Sequence, residues 1–159
     1  MAAVVGRSTE SLDVMKNVAA LALGIVLSGG ALAVDESPEQ AVLEALLIHV
    51  VGEARSQSPA KAFCVSGYEE RLIPTVRARV KETIPSIADE TACPKQDPGS
   101  RNTDYVWVWL GAAVRINDEE FIARARVYRN PLHAEERTYT LRRSSGQWTV
   151  AKSEVNWVS

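Results

Sequence analysis

Few side chains in this sequence carry reactive chemistry: two histidines, two cysteines and four tyrosines. His49 has the chemistry of a general base, if it points into a pocket beside an acid that orients it. The sequence identifies no such partner acid, and the alternative is a partly exposed helix residue. Tyr139 falls on the core-facing positions of a strand, either as a buried donor or as an ordinary amphipathic core aromatic. With Glu53, these residues are the candidates for a small-ligand site. They do not make a catalytic set, so no catalytic residue is assigned. Cys64 and Cys93 have no histidine nearby and are too few for a closed zinc site. No metal or cofactor is implied.

A different chemistry, recognition, is carried by Trp107 and Trp109 with Arg124, Arg126, Tyr128 and Arg142. Residues two apart on a strand point the same way. The two indoles therefore share a face, opposite the aliphatic Val106, Val108 and Leu110. Arg124 and Arg126 alternate with Ala123, Ala125 and Val127 and belong on that same outer face, where one can lie over an indole.

Those side chains need strands to hold them, and Tyr105 to Trp157 reads as four in a row. They are Tyr105–Ile116, Phe121–Arg129, Glu135–Arg143 and Gln147–Trp157. Asn117-Asp118, Asn130-Pro131 and Ser144-Ser145-Gly146 separate them as turns. Short connections predict an antiparallel meander. Its core face takes Val106, Val108, Leu110, Ala112, Val114 and Ile116, then Phe121, Ala123, Ala125 and Val127, then Tyr139 and Leu141. The last strand has Trp148 and Val150 on one face but Val155 and Trp157 on the other, so a bulge is expected near Ala151–Glu154.

A sheet with one apolar face needs a cover. Ser37-Pro38-Glu39-Gln40 reads as a helix start, and the helix runs to about Arg55 or Gln57. Leu43, Leu46, Leu47, Val50 and Ala54 form its stripe, widened by Val42, Ile48 and Val51. A second helix is expected over Glu69–Thr83, starting late because Pro74 is tolerated only in a first turn. Ala60–Ser66 is a candidate short strand, and Ile84 and Ile87 tuck under the sheet edge. The expected fold class is α+β. A long N-terminal helix and a second helix pack on one face of a curved four-stranded antiparallel sheet, five-stranded if Ala60–Ser66 joins.

Met15-Lys16, the apolar run Val18–Leu27 and Ala31-Leu32-Ala33 have the order of a secretory signal peptide cleaved after residue 33. Glu10 and Asp13 are unusual in such a front end, which makes Met15 an alternative start. The mature domain is then 34–159, in the periplasm or secreted. It meets the membrane only through that leader. Two cysteines in an oxidising compartment predict a Cys64–Cys93 disulfide, with free thiols as the alternative. A net charge of −2 gives no reason to expect nucleic acid as a partner.

The segment from Tyr139 to Val150, a small turn followed by Gly146-Gln147-Trp148-Thr149-Val150, resembles the final hairpin of the cystatin-like and nuclear-transport-factor-like superfamily. The resemblance implies that fold over most of 37–159. The superfamily hosts enzymes, ligand binders, inhibitors and dimerisation modules, so it implies no single activity. In the isomerases of this group an Asp base works with Tyr or Asp donors, and no such set is placed here. The Gln-x-Val-x-Gly hairpin of cystatin inhibitors is missing from this sequence. The expectation is an exported non-enzymatic binding or interaction module. Its outer sheet face, which in such families commonly mediates dimerisation, serves a homodimer or an envelope protein partner. The alternative is a small-ligand-binding protein or enzyme using the helix–sheet cavity.

Overall fold

The Ser37 hydroxyl accepts a hydrogen bond from the Gln40 N–H at 3.2 Å, which caps the first described helix as its sequence predicts. The computed structural model describes residues 36–57, 60–95, 104–130 and 132–159. The expected leader lies outside them. All described residues belong to one compact unit, Val34–Ser159. Helix α1 spans Pro38–Gln57 and buries Val42, Leu43, Leu46, Leu47, Val50, Val51 and Ala54. Ile48, expected to widen the stripe, is 42% exposed. Helix α2 is Ile73–Thr83, with Pro74 in its first turn, and it buries Ile73, Val76 and Val80. Both helices contribute to the same core as the sheet.

The sheet departs from the expected four-stranded antiparallel meander. It has six strands and is mixed. Strand β1 (Ala62–Gly67) runs parallel to β2 (Tyr105–Leu110), because the chain crosses over through α2 before returning. Then come β3 (Val114–Asn117), β4 (Glu120–Asn130), β5 (His133–Ser144) and β6 (Gln147–Val158). The spatial order is β1-β2-β4-β5-β6, with β3 also paired to β4.

The sixth strand arises because the expected Tyr105–Ile116 run is broken. Leu110 lies opposite Ala125 but Val114 lies opposite Ile122, so one extra residue is inserted between them. Gly111 permits the break. Its N–H donates to Arg124 O at 2.8 Å, and a Cβ there would stand 3.2 Å from the Arg124 carbonyl oxygen. The inserted residue reverses the alternation. Val106, Val108 and Leu110 are buried as expected, whereas Val114, opposite Ile122, turns to the outer face and is 56% exposed; Ile116 falls in a further register shift between Arg115 and Asn117 and is 51% exposed.

The last strand carries two bulges rather than one. Register shifts at Ala151 and again at Asn156. The first lies in the expected stretch. It carries Val155 to the side of Trp148 and Val150, and the second then turns Trp157 back to the outer face. Elsewhere the alternation holds: Phe121, Ala123, Ala125, Val127, Tyr139 and Leu141 are all buried against the helices. A disulfide joins Cys64 in β1 to Cys93, which follows the 3-10 turn Glu90–Ala92.

Candidate interaction surface

Cross-strand register assembles the outer face into rows. One row reads Ser66, Trp109, Arg126, Glu136, Trp157 across five strands. Its neighbour reads Cys64, Trp107, Tyr128, Ala134. All six residues expected on the recognition face, Trp107, Trp109, Arg124, Arg126, Tyr128 and Arg142, lie on this side of the sheet, Arg142 away from the others opposite Glu120.

Within the first row the Arg126 guanidinium carbon is 5.4 Å from the Trp109 ring centre and 5.6 Å from that of Trp157. A planar cation between two indoles is attracted by both ring faces. The same guanidinium donates to Glu136 Oε2 from Nη2 at 2.7 Å and from Nε at 3.3 Å. Asn156, the second bulge residue, donates to Glu136 Oε1 at 3.1 Å. Glu136 is 8% exposed. The Arg126 hydrogen bonds hold its carboxyl below the usual carboxylate range, against the opposing effect of burial.

In the second row Trp107 meets Tyr128 edge-on, with ring centres 6.0 Å apart, and Tyr105 at 6.3 Å. The Tyr128 hydroxyl is buried and has no hydrogen-bond partner among the described residues. Arg124 stays outside both stacks, opposite Thr138 and exposed. Sequence reasoning left Glu136 and Trp157 out of the site. Counting back from the hairpin pair Asn130–His133 would have set Arg126 opposite Arg137; the register shift between Tyr128 and Asn130 brings Glu136 there instead. Trp157 was hidden by the bulges, which no residue type in the strand announces.

On the inner side the three cavity candidates do meet. His49 Nε2 lies 3.5 Å from Glu53 Oε1, one helical turn later, so Glu53 is the acid that sequence did not identify. Tyr139 donates from its hydroxyl to Glu53 Oε2 at 3.4 Å, and the His49 and Tyr139 rings are 5.8 Å apart, edge-on. Burial, with the Glu53 charge adding to it, pushes the Tyr139 phenol well above its usual range, so it stays protonated. Arg137 Nη1 stands 4.0 Å from Glu53 Oε1, and Arg137 and Arg129 share Glu135 at 3.2 and 3.5 Å. These groups pair largely with one another, although the buried Arg129 Nε has no hydrogen-bond partner among the described residues. A groove of about 720 Å³ between α1 and the start of β6 is lined by His49, Ile48 and Trp148, among others, but by neither Tyr139 nor Glu53. Among the described residues, no group of three or more His, Cys, Asp or Glu side chains is placed to hold a metal ion. None of the described helices is long and apolar enough to cross a membrane. No protein-family model, no curated protein and no solved structure matches this chain.

Proposed function

We propose that this protein is an exported, non-enzymatic binding module whose outer sheet face docks a second copy or an envelope protein. The observation that carries this reading is the row Trp109, Arg126, Glu136, Trp157. Trp157 is 38% exposed and the Arg126 side chain 48%, while the carboxylate beneath them is buried. Aromatic and arginine side chains held rigid from below are the composition of interface hot spots. Farther along the same face, beyond Arg124, the bulge turns Val114 outward opposite Ile122, where it is 56% exposed. The leader-like residues 1–33 and the disulfide support export. Two helices packed on one sheet face, with no described helix on the other, support keeping the chain with the cystatin-like and nuclear-transport-factor-like proteins it resembles.

The test is the double variant Trp107→Ala with Trp109→Ala, compared with the parent by sedimentation and by thermal unfolding. The expected result is weaker self-association or partner capture with a smaller effect on melting. A large fall in melting temperature with assembly unchanged would place the indoles in the folding core and end this reading.

The contact of His49, Glu53 and Tyr139 favours a second reading, a small-ligand site in the helix–sheet cavity. Tyr139→Phe separates the two, because it removes the only hydroxyl of that set and touches nothing on the outer face. Unchanged partner binding after Tyr139→Phe is expected from the first reading.

A further inference from the structure

Among the described residues, strand β1 is a sheet edge that is covered only in part. The Phe63 N–H donates to Ser86 O at 2.9 Å, and Phe63 O accepts from the Ala88 N–H at 2.9 Å. Ile87 thereby forms a single parallel bridge with Phe63. The chain then leaves the edge at Asp89 and turns through Glu90–Ala92. Along a strand, the main-chain groups of alternate residues point to the same side. The Val65 N–H and C=O therefore face the same open side as those of Phe63. Among the described residues nothing bonds them there.

What lies beside Val65 is a groove of about 510 Å³, within the range of ligand sites. The Val65 side chain is in the core, so the groove meets its main chain. One wall is α2, with Pro74 and Arg77; the other is the disulfide and Glu90; Trp107 stands at the outer-face end. The walls are tied together. Arg77 Nη2 lies 3.0 Å from Glu90 Oε2, Lys81 Nζ lies 2.7 Å from Asp89 Oδ1, and Cys93 is bonded to Cys64. A groove clamped open at three points loses little freedom when filled.

We propose that this groove binds an extended peptide segment carrying a basic side chain. The peptide adds a short strand beside Val65 and Gly67, in line with the segment that already pairs with Phe63. Strand addition supplies main-chain hydrogen bonds, and a side-chain pocket supplies the selectivity. The charge at the groove sets that selectivity. Two carboxylates, Glu70 and Glu90, face one guanidinium, Arg77. Arg77 is held by Glu90, whereas the Glu70 carboxylate has no partner among the described residues. A lysine or arginine fits that imbalance, and the Trp107 indole offers a flat apolar surface for its stem.

The probes are three capped pentapeptides: alanine-valine-lysine-valine-alanine, its glutamate counterpart, and the lysine peptide with both valines replaced by proline. Each is titrated into the oxidised protein and followed by amide chemical shifts and hydrogen exchange. In the free protein the Val65 amide exchanges about a hundredfold faster than that of Phe63. The lysine peptide shifts the Val65 and Gly67 amides and slows Val65 exchange. The proline peptide, which lacks the donors, does not bind. Glu70→Lys, an exposed change that leaves the fold intact, weakens the lysine peptide by about tenfold. Three results overturn the proposal: a Val65 amide already protected in the free protein, equal binding of the lysine and glutamate peptides, or no binding of any peptide at millimolar concentration.

Discussion

Arg126 and Glu136 face each other across β4 and β5 at 2.7 Å, and the indoles of Trp109 and Trp157 flank the guanidinium of the pair. The arginine is half exposed and the carboxylate is not. The pair is therefore asymmetric. Removing the arginine strands a buried acceptor, while removing the carboxylate leaves a cation that water can still reach.

Arg126→Ala is expected to destabilise the protein by about 1–3 kcal/mol, through the unpaired carboxylate and two lost ring contacts. Arg126→Lys keeps the charge but not the planar fork, and should recover only part of the loss. Urea unfolding of the two variants against the parent measures both. Equal stability of all three proteins would mean that the row is an ornament of the surface.

The same pair gives the acid limb of stability its shape. The Glu136 carboxyl is held below its ordinary value of 4.5 in the folded protein. Its contribution is complete above that ordinary value and is lost as pH falls through the lower folded one. Glu136→Gln should flatten the loss of stability between neutral and acidic pH. Melting temperature followed across that interval, variant against parent, is the measurement, and parallel curves would contradict the assignment.

The disulfide closes a loop between residues 29 apart in sequence. On the chain-entropy account its reduction should cost about 3–4 kcal/mol. Unfolding with and without reductant, under otherwise equal conditions, checks this. The loss should be accompanied by loosening of the groove beside β1, because Cys93 forms one of its walls.

How far sequence reached can be read from where alternation survived. Phe121, Ala123, Ala125 and Val127 obey a period of two without interruption, and their burial was legible residue by residue. Helix α1 was legible because its cap, its first-turn proline and its stripe agree with one another. The parallel pairing of β1 was not, since a six-residue strand carries no mark of its neighbour's direction. The insertion after Leu110 was also hidden: Gly111-Ala112-Ala113 continues an alternating pattern that either register would accept. Tertiary pairing chose between the registers. That choice carried Val114 to the other face, and the same kind of choice in β6 set Trp157 beside Arg126.

That insertion separates two outcomes for the double variant Val114→Thr with Ile116→Thr. Threonine keeps the branched shape that suits a strand and puts a hydroxyl in place of a methyl group of Val114 and of the ethyl group of Ile116. In a core, each hydroxyl without a partner would cost about 1–3 kcal/mol. With these side chains 56% and 51% exposed, the stability change should stay within about 0.5 kcal/mol. If an interface with a second copy or another protein extends along the outer face as far as the Val114–Ile122 pair, the same variant should weaken that association. Urea unfolding and sedimentation on one preparation give both quantities. A large loss of stability would restore the uninterrupted strand Tyr105–Ile116 and remove the bulge. Unchanged stability with unchanged association would leave the bulge standing and confine the interaction surface to the rows of Trp107 and Trp109.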